Sequence, residues 1–407
     1  EFRPWENKHD LADSGKLSGN GVEINASREA RGKVTEYSLR VVNNGASTAL
    51  LRIGVAHEAG KSGGMFWDGL DLHKNVLRSV APKTDKYIFP VAAYLDGGRL
   101  NAIGFAPRTV SSRFERRCDI ADGRATLRFE SFLALSPGDE DSVVFISQEL
   151  GGASSHVEAV ENIYNAYPDN FRPVKGADPR LYGVGGYFFS SDTNRDYQLE
   201  EARRFGFSWE WYYNCYQKAG DIFPEPELWD ASKGYKTEKA HAACDTPGSV
   251  EDWIAYNKRR IEAGNRTSAM FFYYLQQYCN SDLLKTVHKD SLWVNAKGAG
   301  QAKSHGWAEE GYAEYAWPGE AGSYGAALRK DLKKVWETFN VAGFALDCTM
   351  GATPYYGPLA VKEKGKAFDN EGRIFVMEGV AIARNIDFTH GLPPKPDGRI
   401  PASITND

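Results

Sequence analysis

Asp347 closes an apolar run, Gly343-Phe-Ala-Leu-Asp347-Cys348. A carboxylate placed directly after a short apolar strand is held on a rigid element, as a nucleophile aimed at an electrophilic carbon must be. The structural alternative is a cap for the loop or helix that follows. Glu378 lies 31 positions further on (378 − 347). If Ile374 to Met377 is a strand, Glu378 ends it, and the two carboxylates are rim neighbours able to divide acid and nucleophile roles. If Ile374 to Phe388 is one helix, Glu378 is only a helix residue. Met377, Val380, Arg384 and Phe388 keep a helical rhythm, so the helix is the expectation, with a later strand at Ile400 to Thr405.

A second group of residues has the chemistry to hold a polyol. Trp209-Glu210-Trp211 puts a carboxylate between two indoles at the end of an apolar run. Side chains alternate along a strand, so if Glu210 faces the open end of the sheet, the tryptophans face its covering helices. Asp192 follows another apolar strand and either binds substrate or caps the next helix. Phe66-Trp67-Asp68-Gly69 sits in a Gly- and Lys-rich loop, where Trp67 and Asp68 either reach toward a substrate or shape a turn. Aromatic residues make up 13% of the chain, with 10 Trp and 21 Tyr. Sugar rings present flat C–H faces to such side chains and hydroxyls to carboxylates; filling of cores is the alternative use.

Other chemistries find no support. Gly183-Val-Gly185-Gly186 lies within an apolar strand rather than between strand and helix, so it is not a dinucleotide turn. There is no phosphate-binding loop and no HExxH motif, and the eight histidines do not cluster. The five cysteines form no CxxC pair, which argues against a metal site and against a dense disulfide framework. A net charge of −5 without a concentrated basic run argues against nucleic acid as a partner. No apolar stretch approaches the ~18 residues of a membrane span.

The elements that must position these residues change character along the chain. From residue 33 to about 150 the apolar residues alternate, as in Tyr37, Leu39 and Val41, and turns recur at Asn43-Asn44-Gly45, Asp96-Gly97-Gly98, Asp122-Gly123 and Pro137-Gly138-Asp139. That pattern predicts an antiparallel β-sandwich over residues 1–150. Residues 151–180, rich in Pro, Asp and Lys toward their end, read as a connection, with a short helix at Val157 to Tyr164. Residues 181–407 alternate strand and helix: strands at Leu181 to Phe189, Phe205 to Tyr213, Ser268 to Leu275 and Val341 to Leu346, and an amphipathic helix marked by Leu328, Leu332, Val335 and Phe339. This predicts a (β/α)8-type (TIM) barrel, whose active residues lie at the C-terminal strand ends. Only five or six of eight strands are present, so the barrel is incomplete in this chain and is cut short or completed by other chain or subunits. The expected fold class is multidomain, β followed by α/β.

This order of parts, with Gly-Phe-Ala-Leu-Asp347 closing strand four, resembles the retaining α-galactosidase type of glycoside hydrolase, family 36 and its relatives. The resemblance implies that Asp347 is the nucleophile of a double displacement, that no metal or organic cofactor is needed, and that the default substrate is an α-galactoside within an oligo- or polysaccharide. It also implies an acid/base Asp beyond strand five, past residue 407. The family usually carries Lys two residues before the nucleophile, where this chain has Ala345. The alternative function is a non-catalytic carbohydrate-binding or structural subunit on the same scaffold. Asn-x-Ser/Thr triplets at Asn25 and Asn265 are compatible with an extracellular or periplasmic protein, and the start at Glu1 rather than Met reads as the removal of a signal peptide, an upstream domain or a tag.

Overall fold

The structure, a computed structural model, describes residues 14–82, 89–186, 204–212, 258, 267–273, 286–300, 302–304, 312–347 and 353–406. It divides into two units, the first comprising Glu1–Arg172, Ala352–Pro354 and Lys364–Val380, the second Pro173–Gly351, Tyr355–Glu363 and Ala381–Asp407.

Tight turns set the architecture of the first unit. Asn20-Gly21, Gly97-Gly98 and Asp122-Gly123 all hold positive φ (50° and 79°, 55° and 85°, 51° and 72°), which matches a two-residue loop to the twist of its flanking strands. They join β1 (Ser14–Gly19) to β2 (Val22–Arg31), β7 (Val91–Asp96) to β8 (Arg99–Phe105), and β9 (Phe114–Ala121) to β10 (Arg124–Leu135). The other strands are β3 (Val34–Asn43), β4 (Ala49–Lys61), β5 (Met65–Trp67), β6 (Leu72–His73) and β11 (Glu140–Gly151). They form one antiparallel sheet ordered β1-β2-β3-β11-β8-β7-β5-β6 and a second ordered β4-β10-β9.

The alternating residues explain why the two sheets stack. Val22, Ile24, Leu39, Val41, Ile103, Phe105, Val143 and Phe145 of the large sheet meet Leu127, Phe129, Leu133 and Leu135 of the small one in a single buried cluster. Phe105 is its centre, with ring centroids 5.3 Å from Phe114, 4.9 Å from Phe129 and 5.5 Å from Phe145. Burial of each such side chain contributes about 1.5–3 kcal/mol. The expected sandwich is therefore present. β1 and β2 extend it N-terminal to residue 33; the missed signal is Asn20-Gly21, a strong hairpin dipeptide.

β7 and β8 break the alternation because the large sheet is covered on its second face too. Val91, Ala93, Leu95, Leu100 and Ala102 pack there against Ala159 and Ile163 of helix α1 (Val157–Ala166). Gln148 of β11 donates to the Ala159 carbonyl at 2.9 Å. A second short helix, α2 (Pro168–Phe171), follows. The stretch read as a connection thus contains a helix that closes a core.

Residues 364–380, which the reading along the chain keeps with the barrel segment, fold with the first unit. Their antiparallel pair of strands, Ala367–Phe368 and Ile374–Met377, is clamped by two residues before β9. The Ser112 hydroxyl donates to the Gly365 carbonyl and accepts from the Met377 amide at 3.0 Å. Arg113 donates to the Phe368 carbonyl at 2.8 Å while its guanidinium lies 4.0 Å from the Phe132 ring centroid. Lys366, 4% exposed, pairs with Asp139.

In the second unit five strands, β12 (Gly185–Gly186), β13 (Trp209–Tyr212), β14 (Thr267–Tyr273), β15 (Gly343–Asp347) and β16 (Ala402–Asn406), form one sheet in that order. Every neighbouring pair is parallel. Such a sheet requires a crossover between successive strands. Helix α3 (Ser323–Thr338) precedes β15, and helix α4 (Glu378–His390), within which the division between units falls, precedes β16. On α3 the expected stripe is buried: Leu328, Leu332, Val335 and the following Phe339 are all 4% exposed or less. β15 is apolar because Phe344, Ala345 and Leu346 are each 1% exposed or less, as in a strand covered on both faces.

Two further devices hold this unit. Trp293, Trp317 and Tyr355 are fully buried; the Trp317 and Tyr355 rings stack 4.7 Å apart, and the Trp317 indole donates to Glu363 at 2.9 Å. At the end of α3, Lys395 donates to the Phe339 carbonyl, and its amine stands 4.4 Å from the Trp336 ring centroid. Trp336 donates in turn to the Pro393 carbonyl at 2.8 Å. Burial, reinforced by the charge on Arg399 and opposed by Asp397, lowers the Lys395 amine to about 8. The unfolded chain then binds the extra proton between pH 8 and about 10.4, so the native state gains stability as pH rises through that window. Replacing Lys395 with Met is expected to flatten the rise in unfolding midpoint between pH 8 and 10. Denaturant titration of the two proteins across that range checks it.

Candidate active site

The register of the parallel sheet decides which candidates stand together. Tyr273 pairs with Asp347, and Asp347 with Asn406, so these three residues occupy one level at the C-terminal ends of β14, β15 and β16. A strand end of this kind is where the catalytic groups of strand–helix enzymes are placed. The sequence makes Asp347 the terminal residue because the run Gly343-Phe-Ala-Leu buries completely and the polar group comes only after it.

Glu210 stands elsewhere. It is the second residue of β13 and pairs with Gly186 and Ser268. Ser268 is five positions before Tyr273 on β14 (273 − 268), or ~16 Å along the strand direction at ~3.3 Å per residue. The expectation that Glu210 ends its strand is corrected by the strand's late start. Gly206 holds φ 70° in a turn, so pairing begins only at Trp209. Trp209 itself is a packing residue. Its indole donates to the Gly183 carbonyl at 3.3 Å and lies against Gly185, where a Cβ would come within 2.3 Å of the ring.

Trp67 and Asp68 are used inside the first unit. The Trp67 ring stacks 4.8 Å from His156 and 6.1 Å from Phe89. Asp68 is 2% exposed. Its carboxylate accepts from the amides of Leu70 at 3.0 Å and Asp71 at 2.8 Å and bonds the His73 ring at 3.0 Å. Arg116, 2% exposed, donates to the Asp68 carbonyl. Burial pushes the Asp68 carboxyl up, but His73, these amides and Arg116 outweigh it and hold it below the usual range. Turn chemistry therefore accounts for Asp68.

Glu378 is fully buried at the start of α4, and its amide donates to the Thr353 carbonyl at 3.1 Å. The strand that precedes it belongs to the antiparallel pair of the first unit, and the fifth parallel strand is β16. The rim neighbour of Asp347 by register is accordingly Asn406. A helix N-terminus favours a carboxylate at Glu378 in any case. Asp192 lies outside the described residues.

No protein-family model matches the chain, and no curated protein matches it. Its fold is similar to that of an α-galactosidase from Lactobacillus brevis, with a TM-score of 0.59 and 11% identity, over 98% of this chain and 56% of that one. An α-N-acetylgalactosaminidase from Bifidobacterium bifidum is similar at a TM-score of 0.49 and 11% identity, over 96% of this chain and 68% of that one. This chain thus spans just over half the length of the α-galactosidase. At such identity the likeness is one of fold alone, and it accords with an antiparallel β-sandwich in the first unit and a parallel sheet in the second. Neither Tyr273 nor Asn406 stands out in the sequence, because nothing local marks a residue that reaches the level of Asp347 only through strand pairing.

Proposed function

We propose that this protein acts on glycosides as a retaining glycoside hydrolase, with Asp347 as nucleophile and an α-galactoside as the default substrate. The observation that carries the reading is a carboxylate residue at the C-terminal end of the fourth of the five parallel strands among the described residues, which follow one another in chain order. That order is the one a (β/α)8 barrel uses, and the similarity to an α-galactosidase extends over 98% of the chain. The Asp347 carboxylate attacks the anomeric carbon, and the bond to the leaving oxygen breaks with its electron pair. A second carboxyl, ~5–5.5 Å from the first, supplies a proton to that oxygen. The same group then takes a proton from water, which attacks the anomeric carbon and releases Asp347. Hydrolysis of an aryl α-galactoside followed by proton NMR tests this: the first product formed is expected to be the α-anomer, and the β-anomer would contradict a double displacement. An extracellular or periplasmic location suits an enzyme with oligosaccharide substrates.

A second reading, a non-catalytic carbohydrate-binding or structural subunit, draws on one observation. Among the described residues, the positions paired with Asp347 are a tyrosine and an asparagine, not a second carboxylate.

A further inference from the structure

A second group of reactive side chains gathers at the start of α3, within the second unit. Ser323 is the first residue of that helix, and its hydroxyl has three neighbours able to accept its one proton. Asp290 Oδ1 is in short contact with it, His288 Nδ1 stands at 3.0 Å and the Val287 carbonyl at 3.4 Å. The single turn Lys289–Ser291 brings these groups round, closed by the Ser291 amide donating to the His288 carbonyl at 2.9 Å. His288 is 8% exposed and its ring meets Tyr324 edge-on, with centroids 5.9 Å apart. Asp290 is exposed and Ser323 half-buried, so the cluster opens to solvent.

Helix capping accounts for part of this. Asp290 Oδ2 accepts from the Ser323 amide and the Ser291 hydroxyl from the Tyr324 amide, each at 3.1 Å, which satisfies two of the amides a helix start leaves open. Capping does not call for the imidazole. A histidine ring beside a serine hydroxyl is the pairing of general base and nucleophile. The run Ala321-Gly-Ser-Tyr-Gly325 also places small residues two before and two after the serine, the spacing found around esterase nucleophiles, here on helical instead of strained backbone. Both glycines are required by close approach: a Cβ at Gly322 would come within 2.5 Å of the Ser291 hydroxyl, and one at Gly325 within 1.9 Å of the Gly319 carbonyl.

We propose that Ser323 is a nucleophile activated by His288 and that this cluster hydrolyses small carboxylic esters, an activity in which Asp347 takes no part. Burial holds the imidazole below its usual pKa against the charge of Asp290, so at pH 7 it is in the neutral, proton-accepting form. With its own proton on Nε2, the ring takes the Ser323 proton at Nδ1 as Oγ bonds to the ester carbonyl carbon. The bond to the leaving alkoxide breaks with its electron pair, and His288 returns the proton to that oxygen. Water, deprotonated in the same way, releases the carboxylic acid from the acyl serine. The Asp290 carboxylate offsets the positive charge that His288 carries between these steps.

An alkyl fluorophosphonate tests this: Oγ bonds to phosphorus, fluoride leaves with its electron pair and the proton passes to His288. Intact mass and peptide mapping are expected to show one phosphonyl group on Ser323, formed about 100-fold more slowly in His288→Gln. Turnover of 4-nitrophenyl acetate is expected to fall by a similar factor. Unfolding midpoints show whether His288→Gln is folded, and if it is not, the position of the adduct on the unaltered protein decides. No adduct on Ser323 of the folded protein, or an equal rate in folded His288→Gln, would overturn the inference and leave the cluster as a helix cap.

Discussion

Asparagine in place of Asp347 is expected to reduce glycoside turnover by about 10⁴-fold or more, the scale on which losing a covalent nucleophile acts. The carboxamide is close in size to the carboxylate but forms no stable ester with the anomeric carbon. The fold should survive, because the substitution keeps the size of the residue and the buried Phe344, Ala345 and Leu346 that hold β15 are untouched. Steady-state rates on an aryl α-galactoside, with unfolding midpoints measured alongside, check both halves of the statement. Equal turnover in the two proteins would remove Asp347 from the mechanism.

The second large effect lies at the other end of the same strands. Asp178, 2% exposed, precedes β12. It accepts from Arg180 through Nε at 2.9 Å and through Nη2 at 2.5 Å, and Arg399 Nη1 stands 3.4 Å away. Arg399, just before β16, also donates to Asn340, just before β15, at 2.7 Å. This network therefore ties together the entries of strands one, four and five of the sheet. Burial pushes the Asp178 carboxyl up, but its bonds to Arg180 and the charge of Arg399 outweigh that and hold it below the usual range.

Removing one partner of such a cluster leaves the others uncompensated. Asp178→Ala is expected to destabilise the second unit by about 2–4 kcal/mol, toward the low side for buried pairs because both guanidiniums keep some water. The sign with pH follows from the lowered carboxyl. Its contribution is complete above the unfolded carboxylate range and is lost as pH falls through the lower folded value. The gap in stability between the two proteins should therefore narrow in acid, which denaturant titrations at pH 7 and in acid would show. A constant gap would mean that Asp178 acts through packing rather than charge.

What is legible in the sequence follows physical range. Hairpin turns such as Asp122-Gly123 are local, since the φ they demand is written in the dipeptide itself. The α3 stripe and the apolar β15 are legible because their period reports burial directly. The segment from Ile374 to His390 is only half legible. Its helix is marked by rhythm, but Ile374–Met377 is a strand because Ser112 and Arg113, some 260 positions earlier, receive it. Glu210 is misplaced by the sequence because the start of β13 is set by a turn at Gly206 and not by the apolar residues before it. Asp347 is legible as a polar residue ending a buried run. Tyr273 and Asn406 are not, because they are joined to it only by register.

The most direct measurement is intact mass after incubation with a panel of activated 2-fluoro-glycosides, followed by peptide mapping. A single glycosyl adduct on Asp347 is expected, formed with the sugar the protein accepts. An adduct on another carboxylate, or none with any sugar on a chain shown to be folded, would contradict it.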